Sequence, residues 1–304
     1  MLRFVLGRLL AAPLLLWVIV TGAFCIMRIA PGGPFDADRA LPEAVRANIE
    51  ARYHLDEPLP RQYLRYLGDV ARGDLGPSFR YPDRTVNELL GLGFPVSMTL
   101  GLAALGVALL IGGTAGIVAA IRHNRWADYL TMSLALGGVS IPNFVLGPLL
   151  ILTFALGLGW LPVAGWGTWR HVVMPALTLG AFYTAYVARL ARAGMLEVIL
   201  QDFVRTARAK GLGEGAVILR HALPSAVLPV VSYFGPAAAG ALTGSVVVET
   251  VFGIPGLGRY FVQSALNRDY TMVLGTVVVY STLLIALNLV VDCLYAYLDP
   301  RVGD

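Results

Sequence analysis

Charge is scarce in this chain. Only 14% of its 304 residues are Asp, Glu, Lys or Arg, against 57% that are hydrophobic. Soluble domains carry about 25% charged residues, so the polar cover that a water-facing surface needs is missing. A soluble protein with an unusually rich core is the remaining alternative, and the length of the apolar runs argues against it. Lysine is scarcer still: Lys210 stands alone among 23 basic residues. A Walker A loop needs Gly-Lys followed by Ser or Thr, and Lys210 lies between Ala209 and Gly211. The chain therefore shows no ATP-binding loop of its own.

Cysteine is nearly absent. Cys25 and Cys293 each lie inside an apolar run, near opposite ends of the first and last. Their depths differ by more than the Cα separation of about 7 Å that a disulfide tolerates, so both read as small buried apolar residues. The four histidines, His54, His123, His171 and His221, are scattered through loops, and no His, Cys, Asp or Glu group has metal-ligand spacing. No Gly-x-Ser-x-Gly nucleophile motif occurs. An intramembrane enzyme is accordingly the weakest reading, and no metal is expected. The arginines do not cluster on one soluble stretch, which argues against nucleic acid.

What the chain has is long apolar runs. A helix needs about 20 residues to cross a hydrocarbon core of about 30 Å. Six segments qualify: 9–29, 94–121, 127–157, 173–195, 225–248 and 271–298. Backbone groups in lipid must be satisfied internally, and no alternating strand pattern appears, so the predicted fold is an all-α integral membrane bundle. The first run resembles a signal peptide, but it is longer than the usual h-region of about 7–15 residues. Arg28-Ile29-Ala30-Pro31 follow it in place of a small-x-small cleavage site. An uncleaved span is expected. Gly112, Gly113 and Gly116, and the pair Gly240 and Gly244, have the small-residue spacing that lets spans approach closely.

Positive charge in short loops sets orientation. With both termini in the cytoplasm, the inner segments hold Arg3, Arg8, Arg122, Arg125, Arg192, Arg205, Arg208, Lys210, Arg220 and Arg301, ten in all. The two short outer loops hold three: Arg170, Arg259 and Arg268. The segment 30–93 is too long to be a plain connector. Its stretches 42–54 and 59–72 read as amphipathic helices of a small outer cap. Segment 249–268, with Phe252-Gly253-Ile254-Pro255-Gly256-Leu257-Gly258, is too broken for a span and too apolar for a free loop. It is expected to dip back as a re-entrant turn, or as an outer gate formed by Phe252, Ile254, Pro255 and Leu257. No βαβ context makes its glycines a nucleotide fingerprint.

Few ionisable groups enter the spans. Asp292 and Arg189 lie near inner ends, where an interhelical pair or snorkelling explains them. No charged pair is expected at mid-membrane, which argues against a proton-coupled carrier. Asn143, Tyr183, Tyr186 and Tyr233 are the polar candidates for a translocation path, with helix-packing hydrogen bonds as the alternative.

The inner loop 196–224 is the most informative. Residues 203–210 favour a helix, Gly211 and Gly213 supply a turn, and a second short helix, 214–222, is expected to end before Pro224. The result is a compact basic elbow suited to a groove on a partner. Its sequence resembles the coupling motif of permease subunits in ATP-binding-cassette importers: Glu-Ala-Ala, three residues, Gly, nine residues, Ile-x-Leu-Pro. Ala207, Gly211 and Leu223-Pro224 match at that spacing, while Arg205, Thr206 and His221 stand where Glu, Ala and Ile would be. The departures match the dipeptide/oligopeptide branch, which reads Arg-Thr-Ala-Arg-Ala-Lys-Gly-Leu. Leu55-Asp56-Glu57-Pro58-Leu59, Gly73-Asp74-Leu75-Gly76, Val248 to Gly258 and Arg268-Asp269-Tyr270 are similar to that branch too. The long segment after the first span resembles its B-type subunit.

The resemblance implies a non-catalytic bacterial inner-membrane subunit that forms half of a translocation path for peptides or similar small solutes. It implies a second homologous permease subunit, two cytoplasmic ATPase subunits that hold the ATP and Mg, an extracytoplasmic substrate-binding protein, and surrounding membrane lipid. Coupling would fall to Arg205, Thr206, Ala207, Arg208, Lys210, Gly211, Leu223 and Pro224. A secondary carrier or channel is the competing reading; too few spans and no visible inverted repeat weigh against it.

Overall fold

A computed structural model describes residues 2–29, 54–81 and 83–298. The expected helix at 42–54, most of the cap's first half and Arg301 lie outside them. Among the described residues the structure is helical, with one isolated antiparallel bridge between Pro77 and Thr85. Five helices are long and apolar enough to cross a membrane: Gly7–Ile29, Val86–Ile121, Trp169–Ile199, Leu228–Val251 and Tyr270–Cys293. A sixth candidate is the pair Trp126–Ser140 and Asn143–Gly157, bent by 105°.

The second of these helices starts at Val86, well before the expected 94. Thr85 and Glu88 form a capping box there: the Thr85 side chain accepts from the Glu88 N–H, and the Glu88 carboxylate accepts from the Thr85 N–H. Two orphan donors are satisfied reciprocally, and this Thr-x-x-Glu signal outweighs the polar look of residues 86–93. The expected single span 127–157 is instead two arms. Pro142 lacks an N–H and disfavours helix at Ile141, so Ile141 is extended and the chain turns before Asn143.

The core is built by backbones in near contact. A Cβ on Gly101 would meet the Ala241 carbonyl oxygen at 2.5 Å, one on Gly112 the Thr184 oxygen at 2.5 Å, and one on Gly116 the Ala188 oxygen at 2.4 Å. Gly180 and Gly194 approach Ala104 and Ala226 in the same way. The helix Trp169–Ile199 thus lies along Val86–Ile121 as the central pair, and Leu228–Leu242 packs on both. Gly113, by contrast, has open space around it, and Gly240 meets only the Tyr183 hydroxyl, at 3.2 Å. Gly244 lies beyond the helix end with φ +91°. The expected Gly240–Gly244 packing pair therefore does not form, because the helix stops between them.

Two ends of the bundle can be told apart. At one end the helix Leu59–Ala71 lies by the last turn of the first span: the Tyr63 and Thr21 hydroxyls share a hydrogen bond of 2.7 Å, and Arg28 bonds Gln62. At the other end Arg8 pairs with Asp292 at 3.2 Å, as expected of an interfacial ion pair. Cys25, read as buried, is exposed on the first helix.

Gly101→Ala is expected to cost about 1–3 kcal/mol through overpacking, seen as a lower unfolding midpoint in detergent. Gly106→Ala, on the same helix with open space around it, is the matched control and leaves the midpoint within error or raises it.

Candidate coupling elbow, aromatic face and buried latches

The elbow is a mounted structure, not a loose loop. Helix Asp202–Ala209 turns Val204 and Ala207 inward, where they join Met195, Val198, Val217, Ala222 and Ala226 in one apolar cluster. Outward face Phe203, Arg205, Arg208, Lys210, Leu212, Leu219 and Arg220, all exposed. Lys210 ends the helix, and Gly211 follows at φ +78°, a left-handed conformation natural to glycine. Arg208 reaches across the turn to Glu214, with guanidinium–carboxylate contacts of 2.6 and 3.1 Å. Those bonds hold the Glu214 carboxyl below its usual range and raise the Arg208 guanidinium further. Arg208 is therefore a brace of the turn, whereas Arg205 is tied to Asp202 only at 3.5 Å. Thr206 donates back to the Asp202 carbonyl at 2.9 Å.

The second arm does not end before Pro224. It begins at Glu214–Ala216, widens into a π-helical turn at Val217–Ala222 and runs on through Leu223–Ala226. Proline in a regular helix clashes with the carbonyl four residues back and leaves it without a donor. The wider turn just before it gives that carbonyl room, so Leu223 and Pro224 continue the helix.

A latch missed in the sequence ties this end of the bundle together. Arg192 grips Asp128 in a bidentate pair, 2.7 Å in each arm, and the Asn124 N–H donates to the same carboxylate at 3.0 Å. His123 stands 3.4 Å from it. Asn124 adopts φ +59°, which shapes the tight link between the two helices. Asp128, first-turn residue of a helix, lies at the start of the expected span 127–157, yet the charges read within the spans were only Asp292 and Arg189.

The three tyrosines expected in the path come together. Tyr186 and Tyr233 stack at 5.5 Å with their planes 18° apart, and Phe182 sits edge-on to Tyr183 at 5.4 Å and 5.1 Å from Tyr186. Arg189 lies over the Tyr186 ring, 4.9 Å from its centre. Tyr183 is buried, while Phe182 and Arg189 are exposed. Asn143 is instead the first residue after the 105° bend.

The gate expectation fares differently. Phe252, Ile254 and Leu257 are fully buried, and only Pro255 is exposed. Phe252 packs in the main core, and its carbonyl accepts from the Gly165 N–H at 2.8 Å. Side chains so enclosed anchor the segment; moving them would expose core surface. The reason for this fixity is a second latch, Glu249. Its carboxylate accepts from the Ser97 hydroxyl at 2.7 Å and from the Arg259 N–H at 3.1 Å, while Ser97 accepts from the Leu257 N–H at 2.8 Å. Glu249 thus satisfies the N-terminus of helix Leu257–Leu266 from within. Gly256 leaves room for it: a Cβ there would lie 2.4 Å from the carboxyl carbon. The one acidic residue in Val246-Val247-Val248-Glu249-Thr250-Val251 was the signal that sequence reasoning passed over. A third carboxylate, Asp269, is buried where it caps Tyr270–Leu298 through the Met272 N–H and receives the Ser78 hydroxyl.

The described residues form a helical bundle with several helices long and apolar enough to cross a membrane, no metal-ligating cluster among them, and a braced elbow at one end. Residues 112–304 match the family described as the binding-protein-dependent transport system inner membrane component. The chain belongs to that family. It is 49% identical to the oligopeptide transport system permease protein OppB of Haemophilus influenzae and of Escherichia coli K12, covering 99% of both chains in each case. It is 45% identical to the dipeptide transport system permease protein DppB of Bacillus subtilis, covering 99% of this chain and 98% of that one. In fold it is similar to the MetNI methionine ABC transporter in two inward-facing crystal forms, with TM-scores of 0.56 and 0.57 at 19% identity, covering 69% of this chain and 96% of that chain.

Asp128→Ala is expected to cost roughly 3 kcal/mol, the scale of breaking a buried ion pair, measured as a lowered unfolding midpoint. Adding Arg192→Gln costs little more, since the two act as one network. For the elbow, Glu214 has a depressed pKa, so its contribution is complete above the ordinary value of 4.5 and is lost as pH falls through the lowered one. Hydrogen exchange of residues 203–215 is therefore expected to stay flat on acidification until below that value, and Glu214→Gln removes the step.

Proposed function

We propose that the chain is one of two homologous permease subunits of an ATP-driven importer for peptides, and that the elbow at 202–222 is where the motor acts. The elbow and both termini then face the cytoplasm, and the helix Leu59–Ala71 and segment 249–268 face the extracytoplasmic binding protein. Two cytoplasmic ATPase subunits hold the ATP and Mg, and this subunit does no chemistry. The positive-inside count in the short loops supports that orientation. Identity to the oligopeptide and dipeptide permeases over nearly the whole chain supports a peptide substrate.

The observation that carries the reading is the two-sidedness of the elbow. Val204, Ala207 and Val217 bolt it to the bundle, while Phe203, Leu212 and Leu219 stand exposed among Arg205, Lys210 and Arg220. Apolar side chains ringed by cations make a docking face for a groove of opposite character. Coupling requires only that the ATPase subunits grip this face with different free energy in their open and closed states. Arg208, held by Glu214, shapes the face, and Arg205 and Lys210 supply its charge. The aromatic face of Tyr183, Tyr186 and Tyr233 lies on the same central helices and serves as path lining.

Gly211→Val tests it in the reconstituted importer. Valine has space there but must adopt a left-handed φ at about 1–2 kcal/mol, which is roughly tenfold in the docked population. Binding-protein-stimulated ATP hydrolysis and uptake are expected to fall together by about that factor, while the subunit itself still folds and inserts. Unchanged coupling would sink the role given to the elbow.

A further inference from the structure

The cations of the two helix-packing regions differ in one respect. Arg8 pairs with Asp292, and Arg192 pairs with Asp128. Arg189, on the same helix as Arg192, has no carboxylate within ion-pair distance among the described residues. What it has is a ring: its guanidinium lies 4.9 Å from the centre of Tyr186. Tyr186 is backed by Tyr233 from the neighbouring helix and flanked by Phe182. Positions 182, 186 and 189 fall on one helical stripe. Arg189 is exposed and lies one turn before Arg192, toward the inner end of the helix Trp169–Ile199.

Cations on spanning helices are placed at lower cost where they face the bundle interior or water than where they face lipid. The contact of Arg189 with the Tyr186 ring, 4.9 Å from guanidinium carbon to ring centre, sets the planar fork beside that aromatic surface. A planar, preorganised fork of donors takes a carboxylate in bidentate fashion, and the adjoining rings offer flat apolar surface for peptide planes or side chains. We infer that Arg189, set on the Tyr186–Tyr233 stack, is a transient site for the free carboxylate of the transported peptide. The inference rests on the reading of this subunit as path-forming, and it adds a determinant of selectivity inside the membrane that is independent of the binding protein. The site has to be weak, since a carrier that holds its cargo tightly does not release it. A single charge-assisted contact on an otherwise apolar face meets that condition.

The complete importer in proteoliposomes provides the test. Initial ATP-dependent uptake of a short labelled peptide is compared with that of its C-terminal amide, below saturation, for wild type, Arg189→Gln and Arg189→Lys. Comparing each variant with wild type cancels the preference of the binding protein. Arg189→Gln is expected to lower uptake of the acid by about tenfold to a hundredfold, the worth of a charge-assisted hydrogen bond, and to leave the amide unchanged. Arg189→Lys retains part of the acid preference. A direct measurement accompanies it: binding of both peptides to the detergent-purified complex without binding protein, where only the acid weakens in Arg189→Gln. Equal loss for both peptides would mean that Arg189 pairs with another subunit or supports packing, and no loss for either would mean that it contacts no cargo; each overturns the assignment. Failure of the transport reading looks different, because the wild-type complex would then move neither peptide or would move them without ATP.

Discussion

Helices in a bilayer gain nothing by expelling water from between them, so how near their backbones can come decides how well they hold. In this chain that limit is met at Gly101, Gly112, Gly116, Gly180 and Gly194, where an added Cβ would strike a neighbouring carbonyl. The helices Val86–Ile121, Trp169–Ile199 and Leu228–Leu242 are joined through these points into one body. Side chains of ordinary size fill the space around the contacts: Leu100, Met174, Val187 and Leu242 share the same core. Remove the close approach and those side chains lose their partners as well, since a gap of a fraction of an ångström already forfeits much dispersion.

On that body the polar groups act as pins at the two ends. Glu249 and Asp269 are fully buried at the end that carries the helix Leu59–Ala71, and Asp128 at the end that carries the elbow. Each carboxylate gathers donors from segments far apart in sequence, and each caps or locks a helix start. A buried carboxylate left without partners is expensive, so the donors and the acid specify one another's position. The irregular pieces of the chain, 249–256 and 122–125, are held in one conformation where loops would otherwise be free to vary.

Much of this was legible in the sequence. The apolar runs announced five of the long helices, and the elbow declared itself through Gly211, its cations and the Leu223-Pro224 pair, because turn chemistry is local. The latches were not legible for the opposite reason. Ser97 and Glu249 are 152 residues apart, and Asp128 and Arg192 are 64 apart; no local pattern couples them. Phe252, Ile254 and Leu257 looked like a gate because apolar residues in a broken loop suggest a lip. Their enclosure depends on Glu249 drawing the next helix start inward. Pro224 looked like a stop because the rule assumes a regular helix, and the π-helical turn at Val217–Ala222 suspends it. Arg189 was seen, but its lack of an acidic partner could be known only once the neighbouring helices were placed.

Under the proposed coupling, force enters at the elbow and shape changes elsewhere, and the helix Trp169–Ile199 joins the two. Its last turns, through Met195 and Val198, share an apolar cluster with both arms of the elbow. Arg192, one turn earlier, is bound to the helix beginning at Trp126. Arg189, Tyr186 and Phe182 follow on the next two turns, facing outward beside Tyr233. The glycine contacts on the same helix leave no slack between it and its neighbours, so a push on the elbow is not absorbed locally. Under that proposal it would emerge as a tilt or shift of the aromatic face, because close-packed interiors transmit strain more readily than they compress. A hinge must therefore lie where the packing is interrupted. The 105° break at Ile141-Pro142 and the wide turn at Val217–Ala222 interrupt regular helix outside those glycine contacts, and they flank the central helix without entering it.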